Sequence, residues 1–375
     1  MVSRLRIYVA MLLGLVCVGC GGNQLIDNAS FSQSCYVPHY ATGFHIDADD
    51  HGNTLIRVTR PWQGDNLPEQ TLAIFHDADV AKNYSGQHIV GYARRVVCMS
   101  SSHIAMLDAV GAVESVVGVS GKQYIMNEYV ASSSAIKDVG YDSNLDYETI
   151  LSLSPDVVLM YGITAENSAV TSKFRELGIP YLYLGDYTEQ SPLGKAEWMV
   201  AVAEIVGCCE GAEQIFLEIE ERYNLQRDSI SEGQRPKVMF NLPYQDVWYM
   251  PSDDSYMVRL VEDAGGEYVF KGENPTGGSQ GISLEQALML VGAADIWLNP
   301  GQCLSLDEVR SLAPNFVGCE VVKRGNIYNN NNRRTASGGS DFWESAIVCP
   351  DIVLRDMIAI MRGEHQELYY HHKLE

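Results

Sequence analysis

Short apolar runs alternate with stretches of helical periodicity over most of the chain from residue 94 onward. The segments "RRVVCMS" and "VESVVGVSG" have the composition of buried strands, and "SSHIAMLDAVGA" between them has the spacing of a helix that begins after a serine cap. The same alternation continues through "DYETILSLSPDVVLMYG" and resumes after Pro236. Strands that alternate with helices of this length predict an α/β fold, with parallel sheets covered on both faces.

Two segments depart from this alternation. Residues 192–230 keep helical spacing, with Pro192 at a helix start and Gly207 and Gly211 as candidate interruptions, so we predict a long helix between two α/β units. Residues 41–93 alternate at strand spacing around the turn in "GFHIDADDHGNTLIRVTRPW", which predicts a β-hairpin and further strands. This β-rich extension is either a subdomain packed on the first unit or a part of the ligand cleft.

The second α/β unit repeats a pattern of the first. The segments "DYETILSLSPDVVLMYG" and "SLEQALMLVGAADIWLNPG" each begin a helix with an acidic residue in its first turn and then begin a strand at an aspartate. The acidic residues are Glu148 and Glu285. Such a repeat across a long helix predicts two similar lobes with pseudo-twofold symmetry, the alternative being a chance likeness of generic helix–strand units.

The N-terminus predicts export. Arg4 and Arg6 precede an apolar stretch, residues 7–19, that is too short for a spanning helix. It ends at Cys20, and the preceding small residue resembles the bacterial lipoprotein box, in which the cysteine is lipidated. We therefore predict a signal peptide over residues 1–19, a lipid anchor at Cys20 and a tether over residues 20–40, in the periplasm or cell envelope. A plain secretory signal is the alternative.

Charge and composition narrow the function. The 375 residues are 46% hydrophobic and carry a formal net charge of −22. A surface this acidic argues against nucleic acid, because phosphate binding relies on clusters of lysine and arginine. Apart from Cys17 and Cys20, the cysteines lie mostly within apolar runs, which predicts no disulfide framework and no zinc site. Most are expected to be small buried hydrophobes.

Five segments, taken in order, resemble one known family. They are "RRVVCMSSSHIAMLDAVGAVESVVGVSG", "LSLSPDVVLMYG", "PLGKAEWM", "GISLEQALMLVGAADIWLN" and "GGSDFWESAIVCPDIVLRDMI". Their order and spacing are similar to those of the substrate-binding proteins of ABC importers for ferric siderophores, haem and cobalamin. The resemblance implies two Rossmann-like lobes, residues 94–191 and 231–375, joined by one bridging helix over residues 192–230, with ligand held in the cleft between the lobes.

The loops beyond the strand ends are the expected ligand site, because ligands of open parallel sheets bind at the carboxyl ends of the strands. These loops are rich in Tyr, Trp, Asn and Gly, which suits a large flat ligand held by aromatic faces and a few polar groups. The expected ligand-binding residues are Ser102, His103, Lys122, Tyr124, Tyr161, Tyr187, Tyr244, Trp248, Asn299, Arg333, Arg334 and Trp343.

Charged residues of this set have two interpretations. The adjacent Arg333 and Arg334 suit the carboxylates of a siderophore or the propionates of haem, the alternative being a solvated surface pair. For Glu148 and Glu285, the resemblance implies docking to arginines of the permease. Without it they are first-turn acids that the helix dipole favours by about 0.3–1 kcal/mol each. Many relatives carry Glu where Ala105 stands, so the docking assignment depends on Glu148 and Glu285 alone.

These observations predict a monomeric, lipid-anchored binding protein that delivers an iron complex or cobalamin to an ABC permease and its ATPase. It is predicted to need no cofactor or metal of its own, although the ligand contains iron or cobalt. The neighbours Ser102 and His103 lack an orienting third group, so no enzyme is expected. The alternatives are an accessory lipoprotein of an outer-membrane receptor and a chelatase or hydrolase acting on the iron complex.

Overall fold

The computed structural model describes residues 25–64, 67–231, 233–272 and 278–375. The predicted signal peptide and Cys20 lie outside these residues. The described chain opens with a five-stranded sheet in which the strands follow one another in order and all pairs but the last are antiparallel. Its elements are β1 (Gln33–Tyr36), β2 (Phe44–Ala48), β3 (Thr54–Val58), β4 (Gln70–Phe75), α1 (Ala78–Ala81) and β5 (His88–Val90).

The predicted hairpin is confirmed, since β2 and β3 pair antiparallel from Phe44 opposite Val58 to Ala48 opposite Thr54. The sheet begins at Gln33, inside the segment predicted as a tether. Within the predicted tether, residues 33–36 therefore form a strand.

The first lobe contains a five-stranded parallel sheet in the order β12-β11-β6-β7-β8. The predicted helix after the serine cap begins at Ser101, and the Ser100 side chain accepts the N–H of Ser102 at its start. The elements of this lobe are β6 (Val96–Cys98), α2 (Ser101–Ala109), β7 (Val116–Val119), α3 (Glu128–Ser132), β8 (Lys137–Asp138), β9 (Gly140–Tyr141), β10 (Asn144–Leu145), α4 (Tyr147–Leu153), β11 (Val157–Met160), α5 (Ser168–Leu177) and β12 (Tyr181–Tyr183).

The segment predicted as one long helix is two consecutive helices, α6 (Pro192–Val206) and α7 (Cys209–Asp228). Helix α6 ends at Gly207, whose φ of 76° is left-handed and costs a side-chain-bearing residue strain. Gly211 continues within α7. Every residue of α6 is buried, and its apolar residues join those of both lobes in one continuous core.

The second lobe is built on a sheet in the order β15-β13-β17-β18-β19. Four strands are parallel as predicted, and the C-terminal β19 adds an antiparallel edge. Its elements are β13 (Lys237–Phe240), β14 (Val247–Met250), α8 (Tyr256–Asp263), β15 (Glu267–Tyr268), β16 (Gln280–Ser283), α9 (Leu284–Ala293), β17 (Ile296–Leu298), α10 (Leu306–Leu312), α11 (Glu320–Lys323), β18 (Ile327–Asn329), α12 (Pro350–Arg362) and β19 (His372–Lys373).

Short 3-10 turns complete the chain between these elements. They are Asn28–Ser30, Val113–Ser115, Lys122–Tyr124, Asp186–Thr188, Pro314–Phe316, Asp341–Trp343 and Ser345–Ile347.

The aspartates of the internal repeat have the same structural role in each lobe. The Asp156 carboxylate, just before β11, accepts the N–H groups of Arg94 and Arg95 before β6. The Asp295 carboxylate, just before β17, accepts the N–H of Lys237 at the start of β13. In both cases the carboxylate fixes the beginning of the neighbouring parallel strand, so the repeat seen in the sequence is a repeat of structure.

Buried carboxylates attach the N-terminal sheet to α6. Glu197, which is fully buried, accepts the Tyr36 hydroxyl at 2.7 Å and three backbone N–H groups of residues 39–41 at 2.7–2.8 Å. Glu189 accepts the N–H of Gly43 at 2.9 Å and the indole N–H of Trp198 at 3.0 Å. These bonds give acceptors to the backbone N–H groups of the segment that leads into β2, and they hold the sheet against α6.

The described cysteines are free thiols, and only Cys98 and Cys303 among them are buried. The expectation that most cysteines are buried hydrophobes is therefore wrong. Cys35 is exposed in β1, an edge strand of the N-terminal sheet. Within the part of the chain that the structure describes, no helix has the length and apolar character needed to cross a bilayer.

Candidate functional site

A cleft of about 560 Å³ lies between the two lobes beside the N-terminal end of α6. One wall is formed by Arg60, residues 62–64 and Leu67 of the N-terminal extension and by the loop after β12, including Tyr187. The opposite wall comes from the second lobe, chiefly the loop before α8 and Trp343. The carboxyl end of the parallel strand β12 therefore borders the cleft on the side of the first lobe, as the fold predicts.

The N-terminal extension is bonded to the first lobe where it lines the cleft. Trp62 packs edge-on against Tyr183 at 5.3 Å between ring centroids, and the N–H of Gln63 donates to the carbonyl of Ile163 at 3.0 Å. The hydroxyl of Tyr187 donates to the same carbonyl and accepts the N–H of Gln63. Burial raises the pKa of Tyr187 to about 12, so its hydroxyl stays protonated at neutral pH. Sequence reasoning left open whether residues 41–93 reach the cleft, and "PWQG" is the part that does.

Arg60 is the one lysine or arginine among the described residues that line this cleft. Its side chain is exposed and has no ion pair or hydrogen bond with any residue that the structure describes. A guanidinium is always charged and presents a planar set of donors that matches carboxylate and phosphate groups. Arg60 therefore gives the cleft one group that can pair with an anion, in a lining that also contains the carboxylates of Glu189 and Asp254.

A buried lysine connects the walls behind the cleft. Lys195 in α6 donates to the backbone carbonyl of Asp186 at 3.0 Å, and its ammonium lies 4.6 Å from the ring centroid of Tyr256 at the start of α8. Burial lowers the pKa of Lys195 and raises that of Asp186, while the attraction between the two charges opposes both shifts. Lys195 positions the two loops relative to α6, and Tyr256 presents its ring to the cleft.

A recess of about 180 Å³ extends from the cleft into the second lobe and shares Pro251, Met257 and Trp343 with it. Asparagines line it at the ends of three adjacent parallel strands. Asn241 follows β13, Asn299 follows β17, and Asn330 with Asn331 follows β18.

The backbone of the recess is tightly turned at two of these positions. Asn241 and Asn299 adopt left-handed φ values of 68° and 55°, which asparagine tolerates better than most residues. The left-handed turn redirects the chain at the end of each strand. The asparagines are thus suited both to the backbone and to hydrogen bonding in the recess.

The segment at residues 339–344 joins the lobes next to the cleft, and we call it the clasp. Gly339 lies so close to the first lobe that a Cβ there would be 2.0 Å from the carbonyl oxygen of Tyr124. The carbonyl of Trp343 accepts the Ser101 hydroxyl at 3.2 Å, and the Glu344 carboxylate accepts backbone N–H groups of the first lobe. Trp343 itself is 51% exposed and turns its ring to the cleft and recess.

The structure brings only three of the predicted ligand-binding residues to the cleft or its recess. These are Tyr187, Asn299 and Trp343. Sequence reasoning missed Arg60, Tyr256 and Asn330. The last of these stands in a run of four asparagines, residues 329–332, that begins with the last residue of β18.

Three of the predicted ligand contacts are buried side chains in the structure. His103 is fully buried, and burial lowers its pKa to about 3, so it is a neutral core residue. Trp248 is fully buried, and its indole N–H donates to the carbonyl of Phe240 at 2.8 Å. Ser102 is 5% exposed, and its hydroxyl lies 2.9 Å from that of Ser100. These side chains lie in short segments that are mostly apolar. The sequence of such a segment does not show which of its polar residues faces the core.

Both arginines of the predicted pair also lie away from the described lining. Arg333 forms an ion pair with Asp341 at 2.6 Å and lies over the ring of Tyr369 at 4.5 Å. Arg334 is exposed beside it. The pair thus resembles the surface alternative more than a ligand clamp.

The remaining predicted ligand contacts lie elsewhere on the first and second lobes. The ammonium of Lys122 is held by the carbonyls of Ser133 and Ile136. Tyr124 and Tyr161 are 41% and 38% exposed on the first lobe, and Tyr244 is 69% exposed on the second. None of these four is among the described residues that line the cleft or the recess.

Glu148 and Glu285 lie in equivalent places on the two lobes. Each is exposed in the first turn of a helix, α4 and α9, that a side-chain cap begins. An exposed leucine follows three residues later in each helix, Leu151 at 45% and Leu288 at 43% exposed. Residues three apart share one helix face, so each lobe presents a carboxylate next to an apolar contact.

Comparison with known proteins links the chain to lipoproteins and to binding proteins. An uncharacterized lipoprotein of Methanocaldococcus jannaschii is 28% identical over 283 residues, which are 72% of this chain and 65% of that protein. The chain thus spans about 65% of the length of that relative. A second uncharacterized lipoprotein of the same organism is 24% identical over 311 residues, covering 78% of this chain and 73% of its own length.

Solved structures share the fold at low sequence identity. A periplasmic haem-binding protein from Pseudomonas aeruginosa matches with a TM-score of 0.59 and 16% identity over 76% of this chain and 98% of its own. The periplasmic vitamin B12-binding protein of Vibrio cholerae matches with a TM-score of 0.53 and 13% identity over 73% and 99%. An ABC transporter substrate-binding protein from Listeria monocytogenes matches with a TM-score of 0.52 and 15% identity over 72% and 99%.

The family comparison covers the alternating α/β part of the chain. The match extends over residues 96–328, from β6 to the middle of β18, and so includes the first lobe, both helices of the connection and most of the second lobe. The extent of the match agrees with the two-lobed α/β fold and with the order of its strands and helices. The chain belongs to the periplasmic binding protein family.

Proposed function

We propose that the protein captures a ferric siderophore, haem or cobalamin in the cleft between its lobes and delivers it to an ABC permease and its ATPase, from a membrane to which a lipid on Cys20 anchors it. The observation that carries this proposal is the cleft itself. Both lobes contribute aromatic rings, Tyr187 on one side and Tyr256 and Trp343 on the other, around about 560 Å³. Such walls suit a large flat ligand.

Arg60 supports an anionic group on that ligand. It is the cationic side chain of the described lining, and its guanidinium is free to form a bidentate contact with a carboxylate or phosphate. The proposal therefore transfers the anion-binding role once expected of Arg333 and Arg334 to Arg60. Candidate ligands that carry such groups include haem, with its propionates, and cobalamin, with its phosphodiester.

Nothing in this proposal requires a bond to be made or broken. Ser102 and His103, the neighbours considered for catalysis, are both buried and are not among the described residues that line the cleft. The exposed Glu148 and Glu285, each beside an apolar side chain, support the proposal that both lobes dock to a permease. The loaded cleft would then be presented to the transporter.

The test is a set of absorbance titrations of the purified chain with hemin, cyanocobalamin and a ferric catecholate. We expect at least one to bind with a dissociation constant of about 1 µM or tighter, which corresponds to about −8 kcal/mol. The proposal fails if none of the three binds. Binding of a bare divalent cation alone would likewise overturn the large-ligand assignment.

A further inference from the structure

The recess of the second lobe contains buried polar atoms that the protein itself leaves without partners. Asn330 is 5% exposed, and its Nδ2 has no hydrogen-bond partner among the described residues. The Oδ1 of Asn299 is buried in the same way and is also without a described partner. Both residues line the recess. Buried amide groups are usually satisfied, so an unpaired donor and an unpaired acceptor in the lining of one recess indicate a ligand that offers both an acceptor and a donor.

The recess is also free of charge. The described residues that line it are apolar residues, glycine, serine and side-chain amides, without a lysine, arginine, histidine, aspartate or glutamate. A carboxylate would find a donor at Asn330 and repulsion from the carbonyl oxygen of Asn299. A group that both accepts and donates meets both amides, and a primary carboxamide does so with its oxygen and its N–H donors held in one plane.

The other asparagines of the recess are already engaged and so fix its shape. The Asn241 Nδ2 donates to the carbonyl of Tyr249 at 2.9 Å. Asn331 Nδ2 donates to the carbonyl of Cys303 at 3.2 Å, and its Oδ1 lies 2.7 Å from His372 Nε2. Asn330 is held by its backbone, whose carbonyl accepts the Ser340 hydroxyl at 2.9 Å. A recess with fixed walls is preorganised to receive one group of the right shape.

We infer that this recess is a subsite for a neutral, carboxamide-bearing arm of the ligand, read by Asn330 as donor and Asn299 as acceptor. The inference rests on the proposed function, because the arm belongs to a ligand whose body occupies the adjoining cleft. It also narrows the ligand class. A macrocycle with peripheral amides satisfies the recess, whereas one whose polar arms are all carboxylates does not.

The test uses two corrinoid probes that share one macrocycle. Dicyanocobinamide carries carboxamides at its periphery, and dicyanocobyrinic acid carries carboxylates in their place. We expect the protein to bind the amide form at least about tenfold more tightly, as one gained hydrogen bond and one avoided repulsion require. Asn330→Ala is expected to weaken binding of the amide form about tenfold. Asn315→Ala, an exposed asparagine in the same lobe, is the matched control and should leave it unchanged.

A second variant covers the case in which Asn330→Ala fails to fold. Asn299→Gly removes the acceptor while keeping the left-handed backbone, and the same weakening of about tenfold is expected. Equal affinity for the two probes overturns the subsite, as does unchanged affinity in a folded variant. If hemin or the ferric catecholate binds but neither corrinoid does, the subsite is wrong and the proposed function stands. If no probe binds, the proposed function itself is wrong.

Discussion

The carboxylate of Glu344 in the second lobe accepts the backbone N–H of Asn127 in the first lobe at 2.6 Å. It also accepts the N–H of Met126 at 2.8 Å, and Glu344 is only 3% exposed. One buried carboxyl group therefore holds the lobes together next to the cleft. Burial raises its pKa from 4.5 to about 7, against the lowering effect of the two hydrogen bonds.

This raised pKa makes the stability of the protein depend on pH. The folded state binds the Glu344 proton more tightly than the unfolded chain, so the contribution of this group is fully present below about pH 4.5 and is lost as the pH rises through 7. This pH-dependent contribution to the free energy of unfolding is at most about 3 kcal/mol. In Glu344→Gln this titration is absent. We expect the difference in unfolding free energy between wild type and variant to shrink from pH 5 to pH 8, as measured by urea denaturation.

Wild type and Glu344→Gln share all their other ionisable groups. The difference between their unfolding free energies therefore isolates the effect of Glu344. Glu367→Gln, an exposed glutamate of the second lobe, serves as the control and should give a curve parallel to that of wild type. Parallel curves for Glu344→Gln as well would show that Glu344 does not carry the pH dependence. The NH₂ group of the glutamine cannot accept a hydrogen bond, so one backbone N–H loses its acceptor. We therefore expect the free energy of unfolding to fall by about 1–3 kcal/mol at pH 5.

Close backbone contact at Gly339 gives a second prediction. In Gly339→Ala the added Cβ would lie 2.0 Å from the carbonyl oxygen of Tyr124, so the clasp must move away from the first lobe. We expect a loss of about 1–3 kcal/mol of stability and weaker ligand binding, because Trp343 moves with the clasp. Thermal unfolding and titration with the bound probe measure both. In Gly211→Ala no atom lies within 4 Å of the new Cβ, and this helical variant should keep its affinity.

Arg60 gives a third prediction, which separates the structural site from the sequence-based one. If Arg60 receives an anionic group, Arg60→Ala should weaken binding of the ligand by about 1.5–3 kcal/mol, the usual strength of a hydrogen bond to a charged group. Arg334→Ala is a matched loss of one exposed arginine and should have little effect. The titration should be repeated at high salt, since an exposed contact is screened. A larger effect for Arg334 would restore the original assignment.

The regular elements were predictable because each depends on local signals. The serine cap of α2, the hairpin of β2 and β3 and the aspartates before β11 and β17 all have a signature within a few residues. The chain break at Gly207 was also among the candidates, since glycine alone adopts its left-handed backbone cheaply.

The site was less predictable because burial and long-range contacts decide it. His103 sits in a helix whose residues 102–107 are all buried, so periodicity does not separate a core side from a ligand side. Arg60 reaches the cleft because the N-terminal extension is bonded to α6 and to the loop after β12, contacts between residues far apart in sequence. The asparagine run likewise gave no sign that Asn330 lines a recess with its amide nitrogen unpaired.

Charge reversal at Glu148 and Glu285 gives a fourth prediction. If both residues dock to the permease, the double variant Glu148→Lys and Glu285→Lys should abolish uptake by cells that carry the cognate importer. Ligand affinity should stay intact, because neither residue lines the described part of the cleft. Glu114→Lys, another exposed first-turn glutamate, is the control and should transport normally. Transport that persists in the double variant would remove the docking assignment.

Glu197 gives the last prediction, because it connects the N-terminal sheet to the rest of the protein. Its carboxylate accepts four hydrogen bonds from residues 36–41 while fully buried on α6. Glu197→Gln replaces one acceptor oxygen by a donor, which leaves buried N–H groups without partners at about 1–3 kcal/mol each. We expect urea denaturation to show a loss of that order, and Glu221→Gln, an exposed change on α7, to show none.

Glu197→Gln should also lower the affinity for the ligand, which tests whether the N-terminal sheet takes part in binding. Arg60 and residues 62–64 line the cleft and lie in the loop between β3 and β4 of the sheet that Glu197 holds, so loosening the sheet displaces Arg60 and Trp62 together. Glu197→Gln should therefore weaken binding of the probe at a temperature where the lobes remain folded. Limited proteolysis should cut first within residues 25–93. If the affinity is unchanged while that segment is cleaved faster, the N-terminal sheet is a cover on the lobe and takes no part in binding.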